Sequence, residues 1–286
     1  MTGLALILVF TAALAHATWN LLAKKAGGGV VFVWLCAATS TVLWAPLILL
    51  ILVRTWNRLG RMDWVFLVGS GLIHVGYFLV LQRAYSAGDF SLVYPLARGT
   101  GPVLSTVAGI ALLGERPTTL ALFGVGFITI GIFAFSSSGL GTRTTVRRKV
   151  FALSLLTGVF IAFYTVWDKH AVAARGIPPL LMEGVTSITR VIALLPLILN
   201  KWRQVPEDWL KKRQYAIWIG ALNPLAYLLI LFAMTFTAVS YIAPTREISI
   251  LFGALFGAQF LKERDRGRRL TAAALMVLGV ICLAVG

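Results

Sequence analysis

Acidic side chains are scarce in this sequence: ten Asp and Glu stand against 26 Lys and Arg among 286 residues. Histidine is scarcer still, with only His16, His74 and His170, and no CxxC, HExxH or His-rich tract offers metal-ligand spacing. The two cysteines, Cys36 and Cys282, each sit inside an apolar run and read as small buried hydrophobes rather than disulfide partners. No GxxxxGKS or GxxxxGKT pattern occurs, which excludes ATP drive within the chain, and no cofactor is expected. An enzyme would need clustered acids, a Ser/His/Asp set or metal ligands at one depth, and these are missing too.

Apolar side chain is what the sequence has in abundance. Hydrophobic residues make up 59% of the chain and charged ones 13%, with a mean hydropathy of +0.87. A water-soluble surface cannot be built from that composition, so the solvent is the lipid bilayer. The net charge of +16 is spread over short loops between apolar runs. A nucleic-acid binder would gather it on one folded face, so nucleic acid is not expected as a partner. Ala15-His16-Ala17 mimics a signal-peptide cleavage site, but the basic start of such a peptide is missing and the first helix reads as retained.

Ten runs are long enough to cross a bilayer as helices, at roughly 3–23, 30–53, 63–85, 91–113, 118–136, 150–172, 178–199, 214–237, 239–261 and 269–286. None shows the period-two alternation of barrel strands, so the fold class is an all-α polytopic membrane protein. Residues 137–149, polar, Gly/Ser-rich and basic, read as a linker between a first unit, 1–136, and a second, 150–286. Trp56, Trp64, Trp202 and Trp209 lie near loop charges and read as interface anchors.

The two units repeat one another. With a shift of 148, Trp19 falls on Trp167, Asn20 on Asp168, Arg98 on Arg246 and Glu115 on Glu263, while Gly101, Ser105 and Gly109 fall on Ser249, Gly253 and Gly257. Five crossings per unit is an odd number, so the second unit starts on the opposite side and the repeats are inverted. That is the architecture of secondary transporters. The loops after helices 1, 3, 5, 7 and 9 carry 17 Lys and Arg, the other side 6, which by the positive-inside rule puts both termini outside.

A proline followed two or three residues later by arginine (Pro95 and Arg98, Pro244 and Arg246), a small-residue stripe and a Leu-Gly-Glu-Arg or Leu-Lys-Glu-Arg exit recur in both units. Together they resemble the ten-helix EamA-type members of the drug/metabolite transporter superfamily, over nearly the whole chain. In size and in aromatic-rich helices 1, 3 and 6 the chain is most similar to bacterial amino-acid exporters. The resemblance implies inverted five-helix repeats, a central cavity open to one side at a time, and an inner-membrane protein with both termini in the cytoplasm, the reverse of the charge reading. Small four-helix relatives export drugs through a glutamate in helix 1. Here helix 1 holds only His16 and Asn20, so that device lacks its acid.

Candidate substrate-binding residues follow from shared helix faces. His16, Trp19 and Asn20 lie on one face of helix 1, and Tyr164, Trp167 and Asp168 on the equivalent face of helix 6. Interface anchoring of the two tryptophans is the bland alternative. His74, Tyr77 and Phe78 share a face of helix 3, where an aromatic stripe suits either an organic ligand or helix packing. Asn223 and Tyr227 flank Pro224, which removes one backbone bond from helix 8. Arg98 and Arg246, with Tyr94 one turn before the first, are intramembrane polar groups that face a cavity, a partner or the lipid headgroups.

Arg246 and Glu247 are adjacent, and adjacent residues point about 100° apart on a helix, so no direct pair is expected. Glu183 and Arg190 share a face of helix 7 and read as a structural pair. The glycine stripes read as packing surfaces, and Glu115-Arg116 and Glu263-Arg264 as helix-end anchors. The expected function is a secondary transporter exporting a small metabolite, most of all amino acids, aromatic and hydrophobic ones included. Drugs, other metabolites and lipid-linked sugars stand as alternatives, and a membrane-embedded enzyme as the rival from another class. The implied partners are a small-molecule substrate and the lipid bilayer, with a homodimer left open.

Overall fold

A computed structural model describes residues 1–87, 90–136, 144–252 and 266–286, and all regular structure among them is helical. The helices are α1 (Gly3–Ala26), α2 (Val30–Thr55), α3 (Arg61–Ala87), α4 (Phe90–Leu113), α5 (Thr119–Ser136), α6 (Thr144–Lys169), α7 (Pro179–Leu199), α8 (Gln204–Met234), α9 (Val239–Thr245) and α10 (Arg266–Val285). A π-turn, His170–Ala174, extends α6, and a 3-10 turn, Arg246–Ile248, follows α9. Seven helices among the described residues are long and apolar enough to cross a membrane, and Thr119–Ala134 and Thr271–Val285 are shorter apolar helices. Gly253, Gly257 and Glu263-Arg264 lie outside the described residues.

Local sequence sets the boundaries. Gly27, Gly28 and Gly29 take φ values of 78, 63 and 105°, a left-handed run that only glycine tolerates, and they stop α1 and turn the chain into α2. Gly114, at φ 67°, ends α4 the same way, and a proline opens α7 at Pro179. Two helices reach further than their apolar runs: α8 begins at Gln204 with a charged first turn, and α6 begins at Thr144, inside the expected linker.

Contacts at the helix ends sort the chain into two faces. At the first, the Met1 ammonium donates to Ala284 O (3.0 Å), Glu115 at the end of α4 meets the start of α9, and Lys169 at the end of α6 donates to Met234 O (2.6 Å) at the end of α8. Arg175 pairs there with Asp63 at the start of α3, Nε to Oδ1 2.6 Å. The second face holds the turn between α1 and α2, the end of α3 and the start of α6. Thus α1 starts at the face where its sequence counterpart α6 ends.

Packing follows the same exchange. α3 lies on α6 as α8 lies on α1, and α2 lies on α8 as α7 lies on α3. The pairs α2–α7, α4–α9 and α5–α10 join each helix to its own counterpart. The two units are interleaved, so neither has a core of its own. Large apolar side chains such as Leu43, Leu72, Leu112, Phe123, Phe163, Ile192 and Ile281 face outward, as lipid-facing surface requires. Polar side chains such as Asp168, Glu183, Thr186 and Glu247 are buried inside.

Candidate functional site

Arg98 lies two turns into α4 and Arg246 directly after α9, and the α4–α9 contact brings them to one carboxylate. Arg98 Nε is 3.2 Å from Glu247 Oε2, and Arg246 Nε is 3.4 Å from Glu247 Oε1. The adjacent pair that ideal helix geometry discouraged is therefore formed. Cβ directions alone misled that expectation: the arginine side chain is long enough to curl back to its neighbour while its far end reaches another helix. Glu247 is the functional candidate that sequence reasoning missed, and its one visible signal was its place beside a repeated arginine.

Each arginine then reaches an aromatic ring at equivalent positions in the two units. Arg98 Nη2 is 3.2 Å from His16 Nε2, and Arg246 Nη2 donates to Tyr164 Oη at 3.5 Å. Guanidinium only donates, so His16 Nε2 accepts and its ring proton sits on Nδ1. Arg246 also lies over the face of Tyr164, Cζ 5.7 Å from the centroid, a cation–π contact.

Tyr164 is the hub of an aromatic cluster. His74 stacks on it with centroids 4.2 Å apart, Tyr77 meets it edge-on at 5.7 Å and Tyr227 at 6.3 Å. Tyr227 donates a short hydrogen bond to Asp168 Oδ2. His74 Nδ1 lies 2.9 Å from Ser70 O, and Ser70 Oγ accepts from Thr186 at 3.3 Å. Glu183 accepts from Ser187 one turn on, at 3.0 Å, and feels the charge of Arg190 two turns along the same face. The site thus draws on α1, α3, α4, α6, α7, α8 and α9, from both units.

The remaining expected residues divide. Trp19 sits edge-on to His16 (5.0 Å) and packs beside Ala26, Phe32 and Ile219, its buried Nε1 finding no acceptor among the described residues. Its counterpart Trp167 is committed to packing: Nε1 donates to Phe66 O at 2.9 Å, and the ring lies so close to α3 that a Cβ on Gly69 would stand 2.7 Å from it. Asn20 is exposed and donates to His16 O (2.7 Å), within its own helix. Phe78 and Asn223 are half-buried. The side chain of Tyr94 lies outside the described residues. Of the four tryptophans read as interface anchors, Trp56 and Trp202 are exposed, while Trp64 and Trp209 are half-buried against neighbouring apolar clusters.

The glycine stripe is only partly a packing surface. A Cβ on Gly101 would stand 2.7 Å from Ile161 of α6, the close approach expected of a small residue. Gly109 instead leaves room for Glu115, whose two oxygens accept the Val239 and Ser240 N–H groups at 2.6 and 2.9 Å. Glu115 is a cap for the first turn of α9. Among the described residues no group of His, Cys, Asp or Glu is placed to hold a metal ion.

A cavity of about 500 Å³ opens at the second face, lined by Leu79, Gln82, Arg83, Ser86 and Ala87 of α3 and Lys149 and Leu153 of α6. Shifted by 148, the α3 lining falls on Tyr227, Ile230, Leu231, Met234 and Thr235, and Lys149 and Leu153 correspond to Met1 and Ala5. Four of those positions are buried, Ile230 at 4% exposure and Leu231, Met234 and Ala5 at 0%, while Tyr227, Thr235 and Met1 are half-buried. Among the described residues, Gln82, Arg83 and Ser86 border an opening, while their counterparts Ile230, Leu231 and Met234 are buried.

The sequence matches the family described as "EamA-like transporter family" twice, over residues 3–137 and 148–285. A crystal structure of a protein superposes with a TM-score of 0.79 at 20% identity, covering 100% of this chain and 98% of that chain. At that identity the likeness shows the fold alone. A search of curated proteins returned no significant match. The repeated family match, the interleaved helical units and the buried polar centre agree, and the chain belongs to the EamA-like transporter family, a multi-pass membrane protein of the drug/metabolite transporter superfamily.

Proposed function

We propose that the protein exports small metabolites, amino acids above all and aromatic or hydrophobic ones among them, by alternating access between two inverted five-helix repeats, 1–136 and 150–286. The observation that carries this reading is the contrast between equivalent surfaces: open beside Ser86, sealed beside Met234, with the arginine and aromatic centre between them. An inverted repeat whose two copies sit in different states is what alternating access requires, since exchanging the states moves the opening across the membrane. The Tyr164, His74, Tyr77 and Tyr227 rings supply a wall for an apolar side chain.

The membrane is the cell's inner membrane, and both termini face the cytoplasm, as the family resemblance implies. A fluorescent protein fused after Gly286 checks this, because it matures in the cytoplasm and stays dark outside. The function itself is tested by efflux from cells preloaded with labelled Phe, Thr and Met, with and without the protein. Faster efflux of at least one amino acid is the expected result. Unchanged efflux of every amino acid, from protein shown to be folded in the membrane, would overturn the substrate assignment.

A further inference from the structure

Arg190 of α7 stands at the edge of the aromatic cluster, and its place there follows from the register of two helices. α3 and α7 both start at the first face and pack side by side in the same direction. Thr186 donates to Ser70 at 3.3 Å, and a Cβ on Gly71 would stand 2.5 Å from Thr189. One turn further along each helix come His74 and Arg190, so they share one depth, and the charge of Arg190 reaches His74. The face of α7 that carries Arg190 points inward. Thr186 and Leu194, one turn to either side, are buried, while Ile188 and Ile192 on the opposite side are exposed.

Arg190 makes no hydrogen bond and no ion pair among the described residues, and none of its nitrogens is sealed off. The other arginines of the centre, Arg98 and Arg246, both meet Glu247. Glu183 lies seven residues before Arg190, about 10 Å of helix rise, and accepts from Ser187. It offsets the charge of Arg190 without occupying its donors. Lipid phosphate does not supply the partner either. Nine residues separate Arg190 from the end of α7 at Leu199, about 13 Å of rise, which is further than an arginine stem reaches. A half-buried guanidinium therefore presents a planar fork of N–H donors inside the bundle, a shape that a carboxylate fills bidentately.

We infer that Arg190 is the group that holds the substrate, by a carboxylate, while the substrate's apolar part lies against His74, Tyr164 and Tyr77. The inference rests on the transporter reading above and names its substrate class, small molecules that join a carboxylate to an apolar or aromatic group. It also separates two roles among the intramembrane arginines. Arg98 and Arg246 bind a carboxylate of the protein and join the units, whereas Arg190 binds one that arrives from outside.

The test compares 3-phenylpropionate with 3-phenylpropionamide, equal in shape but uncharged, by equilibrium dialysis against protein purified in detergent. The parent binds the acid at least about tenfold more tightly than the amide, as a charged, bidentate hydrogen bond requires. Arg190→Gln brings the acid down to the level of the amide and shifts the amide itself by less than about twofold. A merely structural role would weaken both ligands alike. Melting curves show that the variant is folded; if it is not, Arg190→Lys keeps the charge without the fork and lowers the acid's affinity more than the amide's.

Equal affinity of the parent for acid and amide, binding of neither, or equal loss of both in the folded variant would overturn the inference. Failure of the transporter reading looks different. Selective binding of the acid with no efflux of any solute from cells would sink transport and leave the carboxylate site.

Discussion

The two faces of the bundle are built from equivalent pieces and are closed to different degrees. Beside the end of α3, the polar Gln82, Arg83 and Ser86 border a cavity; beside the end of α8, their counterparts Ile230, Leu231 and Met234 are buried. The closed face also has two ties that cross between units, Glu115 on the first turn of α9 and Arg175 on Asp63, and one within the second unit, Lys169 on the last carbonyl of α8. The comparison teaches that duplication fixed the scaffold and divergence fixed the state. The helices pack as a symmetric pair would, while the side chains at the two mouths favour opening at one and closure at the other.

The largest effect is expected at the centre that both faces share. Arg98→Ala leaves a buried Glu247 with one partner, which costs about 3–5 kcal/mol of stability and abolishes transport; melting curves and efflux assays read the two. Met234→Ser gives the closed face the residue of the open one, and loss of that buried side chain costs about 2–5 kcal/mol and lets water in beside α8. Melting together with hydrogen exchange at 230–237 checks it, and unchanged exchange would break the comparison. Glu115→Ala removes the cap on α9 at about 1–2 kcal/mol and loosens the closed face alone, which sharpens the contrast further. Asn20→Ala changes stability by less than about 0.5 kcal/mol and leaves efflux intact, because among the described residues that exposed side chain bonds its own helix.

Much of this was legible in the sequence because it rests on period and shift. The all-helical membrane class, the two repeated units and the equivalence of Arg98 with Arg246 follow from hydropathy and from one offset of 148, whereas the expected linker 137–149 is helical from Thr144 onward. His16, Tyr164, Asp168, His74, Tyr77 and Tyr227 were also marked by shared helix faces, and the fold does bring them together. What was not legible depended on side-chain reach and on partners from other helices. Trp19 and Trp167 are indistinguishable by offset, yet only one finds the Phe66 carbonyl. Glu115 reads as a terminal charge until α9 presents its N–H groups. Glu247 was set aside on Cβ direction, a rule that holds for short side chains and fails for arginine.

The central claim is that equivalent surfaces are held in opposite states, and one pair of residues tests it. In a Cys36→Ala, Cys282→Ala background, Ser86→Cys and Met234→Cys place a thiol at the two equivalent positions, one exposed and one 0% exposed. Both are exposed to a membrane-impermeant maleimide in open membrane fragments, so that each face meets the reagent. The account predicts that Ser86→Cys reacts at least about tenfold faster without substrate, and that a transported substrate narrows the ratio. Equal rates at the two positions, with and without substrate, would contradict it.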